Sequence, residues 1–161
     1  MSRRQLVLHE TLAALNQAAA RLAATHAGTA ALFPLTANTL DAVPELDQER
    51  LDAYAIRYAR CQDLLFPAMR ALARAQLEPA AQGSFLDLFA LMQKQGITTN
   101  LDDWERQRDL RNAVGHDYPE TSAIADILNA IRAATPEVLD YVDRLRAGAS
   151  RLPLDAQSAP A

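Results

Sequence analysis

Apolar residues recur along this chain at steps of three and four, with no useful stretch of strand-like alternation, so the pattern predicts helices throughout. Leu8, Leu12, Leu15, Ala19 and Leu22 fall on one face of a first helix expected from about Arg4 to Thr25, with Arg4, Gln17 and Arg21 on its solvent side. Gly28 and Pro34 break it. Residues 28–45 hold two prolines with several Thr and Asn, and read as a loop with room for a short helical turn. The longest helix follows, with Asp47 as its expected N-cap. Leu51, Tyr54, Tyr58, Cys61, Leu65, Met69 and Leu72 keep a seven-residue repeat, a narrow seam that suits a helical bundle or a dimer interface. Pro67 predicts a kink there, because it has no N–H for the carbonyl of Asp63. Arg60, Asp63, Arg70 and Arg74 line another face.

Ser84 and Asp87 have the spacing of an N-terminal capping pair for a short third helix whose core side is Phe85, Leu88, Phe89 and Met92. Gly96 is its expected left-handed C-terminal residue, followed by the apolar Ile97. A fourth helix is expected from Asn100–Asp102 toward His116. A fifth should begin at Asp117–Pro119, with Asp117 and Glu120 in capping positions. Ile124, Ile127, Ile131, Val138, Val142 and Leu145 hold one phase through it, which favours a kink at Pro136 over a new helix. Residues 149–161 are small, polar and Pro-containing, an expected disordered tail. The chain reads as one all-α domain over residues 1–148, a four- to five-helix up-and-down bundle.

Composition narrows the picture. Half of the 161 residues are hydrophobic and 22% are charged, enough apolar material for one core and too little charge for disorder throughout. A net charge of -4 argues against a broad basic field of the kind that binds nucleic acid non-specifically, but leaves room for a local basic cleft. Cys61 is the one cysteine, so no intramolecular disulfide forms, and no zinc-ligand spacing accompanies it. No cofactor motif such as a phosphate-cradling glycine loop is present, and no metal is expected. No apolar run approaches the ~20 residues of a membrane span. Met1-Ser2-Arg3-Arg4 leads into a patterned amphipathic stretch, unlike a signal peptide, so a cytoplasmic protein with no membrane association is expected.

Candidate chemistry centres on histidine. His9, His26 and His116 each lie five residues after an arginine (Arg4, Arg21 and Arg111), so the bare spacing carries no information. Residues five apart on a regular helix diverge by roughly 140°. The first two pairs lie within the first helix and are expected to be solvated surface residues. Arg111–His116 differs. Helical projection puts Arg111 one heptad after Trp104, toward the bundle or an interface, where a guanidinium needs a partner or a phosphate. Gly115, Asp117 and Pro119 end the helix around His116, so the imidazole is free to fold back toward Arg111. Asn112 and Tyr118 add hydrogen-bonding groups to the same loop. The structural alternative is a helix-terminal histidine favoured by the dipole, with Tyr118 packing beside it.

The segment Arg111-Asn112-Ala113-Val114-Gly115-His116-Asp117-Tyr118 resembles the R-x4-H-x-Y motif of HepT toxins in the HEPN superfamily. Gly96-Ile97, Asp102-Asp103-Trp104, Arg108 and the Tyr/Arg-rich helix around residues 51–74 are similar to the same group, and the resemblance spans roughly residues 46–147. It implies a HEPN-like homodimer in which two Arg–His pairs meet at one cleft, and a metal-independent endoribonuclease acting on RNA. His116 would then move the proton of an RNA 2′-hydroxyl, a role suited to histidine in general. Arg111 would hold the scissile phosphate, Asn112 would orient one of them or the substrate, and Arg108 would bind substrate. The resemblance further implies an MntA-like minimal nucleotidyltransferase antitoxin that AMPylates the motif tyrosine, here Tyr118. The added phosphate would block the cleft by charge. Two other readings compete: a non-catalytic partner subunit of a nucleotidyltransferase, and a plain helical scaffold whose function is self-association.

Overall fold

The computed structural model describes residues 1–153. Its first helix, α1 (Arg3–Gly28), opens on a capping box. Ser2 Oγ accepts from the Gln5 backbone N–H at 3.2 Å, and Gln5 Oε1 accepts from the Ser2 N–H at 2.9 Å, which satisfies two of the helix's open donors. The helix runs three residues past its expected end. After a 3-10 turn at Ala30–Leu32 comes a short helix, α2 (Ala37–Asp41), in the stretch read as a loop with room for a short helical turn. Thr36 and Thr39 form its capping box. In α3 (Glu45–Ala75) Pro44 holds the N-cap position, so Asp47 lies in the first turn and does not cap. Its carboxylate still favours the positive helix terminus. Pro67 stands on the exposed side and the helix continues through it.

A second 3-10 turn, Pro79–Gln82, leads to α4 (Phe85–Lys94), capped by Ser84 and Asp87 as the spacing predicts. Gly96 follows it at φ 74°, and its N–H and that of Ile97 return to Gln93 and Met92. Next is α5 (Leu101–Ala113), whose Asn100 side chain accepts from the Asp103 N–H at 2.9 Å. It stops three residues short of His116. The last helix, α6 (Thr121–Ser150), begins later than expected, with Glu120 at the N-cap and no side-chain cap bond from it. It is continuous through Pro136, in line with the unbroken apolar phase, and reaches residues 149 and 150 of the expected tail. Residues 154–161 of that tail lie outside the described residues. The chain is thus all-helical, with six α-helices in place of four or five and no strand among the described residues.

Every seam residue of α3, from Leu51 to Leu72, has zero exposure within the single chain. The seam is therefore spent on the bundle itself and is not left to pair two chains. Leu8, Leu15 and Leu22 of α1, Leu88 and Met92 of α4, Trp104 of α5 and Ile131, Val138, Val142 and Leu145 of α6 close around it. The α1–α3 connection builds a second small core from Leu35, Leu40, Leu51, Ala125 and Leu128. Asn129 ties that connection to α6: its Oδ1 accepts from the Leu35 N–H and its Nδ2 donates to the Leu35 carbonyl, both at 2.8 Å. No helix among the described residues is long and apolar enough to cross a membrane.

Two glycines give opposite expectations. A Cβ added at Gly96 meets nothing within 4 Å, so Gly96→Ala should cost only the left-handed backbone penalty, about 1 kcal/mol. Gly28→Ala, at the end of α1 and also in open space, should add about 0.5–1 kcal/mol, because alanine loses less chain entropy in a helix. Urea unfolding of the two variants should move the midpoint in opposite directions.

Candidate functional site around Arg111, His116 and Tyr118

Arg108 and Arg111 lie one turn apart on α5 and both reach α3. Arg111 grips Asp63 with two parallel bonds, Nε to Oδ1 at 2.7 Å and Nη2 to Oδ2 at 2.8 Å. Arg108 Nη1 donates to Asp63 Oδ1 at 2.8 Å and to Gln62 Oε1 at 2.7 Å. The fork geometry is the one that suits arginine and carboxylate. One carboxylate thus faces two guanidiniums, which leaves one net positive charge. Arg111 Nη1 and Arg108 Nε and Nη2 have no partner among the described residues, and the arginine side chains are 31% and 38% exposed. Burial alone would push the Asp63 carboxyl up. The hydrogen bonds from Arg111 and Arg108, and then their charges, outweigh it and hold the carboxyl below its ordinary range. The same bond to Asp63 outweighs burial at Arg111 and raises its guanidinium.

Beyond Ala113 the chain tightens. The N–H groups of Gly115 and His116 return to Asn112 and Ala113, three residues back, at 3.2 and 3.1 Å. This turn carries His116 into solvent, where its ring meets Tyr118 edge-on at 6.1 Å between centroids. His116 and Tyr118 border a cavity of about 290 Å³. Leu51 and Ala55 of α3 and Ile127 and Leu128 of α6 line its apolar part. Leu51 and Leu128 also belong to the second core, so the α1–α3 connection supports the cavity from behind.

The motif is therefore divided between two places. Arg108 and Arg111 meet at Asp63, while His116 and Tyr118 meet at the cavity. Among the described residues no hydrogen bond joins Arg111 to His116 within one chain. Asp63 offers Arg111 two charge-assisted bonds, and an imidazole would offer fewer. Asn112 is exposed, with no side-chain hydrogen bond among the described residues. The partner that the sequence pattern did not pair with Arg111 is Asp63, 48 residues upstream. Its signal was a lone acid among arginines on one face of α3.

Of the other histidines, His9 is exposed as expected. His26 is not a freely solvated residue: its Nδ1 lies 2.7 Å from the Tyr54 hydroxyl, and the two rings stack. The longer α1 keeps His26 in helical register against α3. Burial first, and then the Arg132 charge, lower its pKa from the ordinary histidine value. Comparison with protein-family models, curated proteins and solved structures gives no match to the chain.

Asp63→Asn keeps the shape of the side chain and removes its charge. It should destabilise the fold by about 1 kcal/mol, low for a charge-assisted pair because Asp63 is 39% exposed. A carboxyl held low in the folded chain stabilises it above the ordinary unfolded value of about 3.9, and that stabilisation is lost as pH falls through the lower folded value. Urea unfolding from pH 6 down to pH 2 should therefore show the wild-type advantage over Asp63→Asn shrinking below about pH 4.

Proposed function

We propose that this chain is a HEPN-type, metal-independent endoribonuclease of the HepT kind, acting as a homodimer and restrained by an MntA-like nucleotidyltransferase. The observation that carries the reading is the paired arginine site at Asp63 on the same helix end as the exposed His116 and the half-buried Tyr118. Asp63 fixes the orientation of Arg111 yet leaves its Nη1 for a phosphate oxygen, and the site keeps a net positive charge. His116 takes the proton of an RNA 2′-hydroxyl. The 2′-oxygen then bonds to phosphorus as the bond to the 5′-oxygen breaks, giving a 2′,3′-cyclic phosphate and, once a proton is delivered, a 5′-hydroxyl. Arg111 stabilises the charge that develops on the phosphoryl oxygens. Asn112 orients the substrate and Arg108 adds charge. A second copy supplies the convergence that one chain lacks. Exposed Ile56, one turn beyond Asp52 of the cavity wall, and Ile124 beside His116 offer apolar contact for it. Tyr118 is the AMPylation site: its hydroxyl oxygen attacks the α-phosphate of ATP, pyrophosphate leaves, and the bound phosphate repels RNA.

One observation favours a second reading. Asp63 already occupies two donors of Arg111, as it would in a non-catalytic partner subunit whose Arg–His pair is vestigial.

The test is RNA cleavage in EDTA by protein whose intact mass shows no added AMP, beside His116→Ala. Under the nuclease reading the wild type cleaves, and the variant loses at least about 100-fold in rate. Absence of cleavage by unmodified wild-type protein across several RNAs would overturn that reading and leave the partner subunit in front.

A further inference from the structure

The first turn of α1 packs beside the last turns of α3 and leaves a cavity of about 500 Å³ between them. Three of its six described lining residues are arginines: Arg3 and Arg4 from α1 and Arg74 from α3. The others are Ser2, Val7 and Ala71, so no acidic side chain among the described residues lines it. All three arginines are exposed, and none has an ion pair or side-chain hydrogen bond among the described residues. What sets them apart is that they share one cavity in a chain of net charge -4. Elsewhere in the structure Arg50, Arg106, Arg108, Arg111 and Arg146 each hold a carboxylate. Three like charges left together around one cavity make a focused positive field, the arrangement that recruits phosphate.

The cavity is also aligned with the candidate site. Arg70 and Arg74 follow Asp63 by seven and eleven residues, and at about 100° per residue both fall within about 20° of its direction on α3. Arg74 stands about 17 Å along the axis from Asp63 at a rise of about 1.5 Å per residue. Between them the Arg70 guanidinium lies over the Phe66 ring, 5.0 Å from its centroid. Phosphate-binding charges with a stacked cation and ring between them are the elements that bind single-stranded nucleic acid without reading its sequence.

We propose that Arg3, Arg4 and Arg74 bind the phosphodiester backbone of the RNA strand whose scissile phosphate is held at Arg111. The strand runs along this face of α3, past the Arg70–Phe66 stack. The inference rests on the ribonuclease reading above for the strand's other end, and it assigns to the start of α1 a role in substrate binding.

The test is fluorescence anisotropy of a labelled single-stranded RNA with 2′-O-methyl sugars, which cannot be cleaved, titrated with the full chain at several salt concentrations. The triple variant Arg3→Ala, Arg4→Ala, Arg74→Ala should bind at least about tenfold more weakly at low salt. Its log Kd should depend less steeply on log salt, by about 2, since each lost contact to a single strand removes about 0.7 from the slope. Arg21→Ala, Arg50→Ala, Arg146→Ala removes the same charge elsewhere and should change binding far less. Circular dichroism of both variants should match the wild type, because the substituted residues are exposed. Equal weakening by the two triple variants would reduce the effect to net charge and overturn the proposal, as would wild-type affinity and slope in the first. If a mononucleotide or inorganic phosphate displaced the RNA as readily as unlabelled strand does, the cavity would be a free-phosphate site and the strand proposal would fall. Binding is read on RNA that cannot be cleaved, so failure of the nuclease reading and failure of this one are separate outcomes.

Discussion

The covered side of α3 constrains everything else in this molecule. Seven side chains along it have no contact with solvent, and α1, α4, α5 and α6 owe their positions to packing against them. Burying that stripe carries polar groups inward, and they must be satisfied. The Tyr54 hydroxyl reaches Thr135 at 2.9 Å and His26 at 2.7 Å, so one phenol links three helices. The Tyr58 hydroxyl donates to the Gln107 carbonyl at 3.1 Å, which fixes α5 against α3 just before Arg108. Burial pushes both phenols up and keeps them neutral, so they act as hydrogen-bonding struts.

From that anchor the candidate site follows. With α5 fixed through Tyr58, its next turn brings Arg108 and Arg111 onto Asp63, which stands on the partly exposed flank of α3. The helix then ends, and the short turn after Ala113 throws His116 and Tyr118 toward the α3–α6 groove. The groove keeps its shape because the α1–α3 connection, itself clamped to Asn129, packs behind Leu51 and Leu128. Residues far from the motif in sequence therefore decide how it is presented.

Features carried by local rules were legible in the sequence. The α3 seam, the Ser84–Asp87 cap, the left-handed Gly96 and the continuous phase of α6 across Pro136 all follow from spacing and residue type. The short helical turn allowed for between α1 and α3 was not placed, because the capping pair of α2 is Thr36 with Thr39, which lacks the Glu or Gln of the usual pattern. Helix ends moved by three residues at α1 and α5, where fraying and tertiary packing decide. The seam was legible but its partner was not: a heptad repeat looks the same whether it packs inside one chain or between two. The arginines were expected to need a counter-group, and Asp63 stood in plain view, but joining positions 63 and 111 requires the crossing of α3 and α5, which no local pattern encodes. His26 was misjudged for the same reason.

The seam has one further consequence. Cys61, the chain's sole cysteine, lies wholly within it, and burial pushes its thiol up to about 12. A thiol that is both covered and un-ionised at neutral pH is nearly inert to alkylation. The native protein is thus chemically blank toward maleimides and iodoacetamides. A cysteine introduced at any exposed position would become its single reactive handle, without the need to remove a residue from the core.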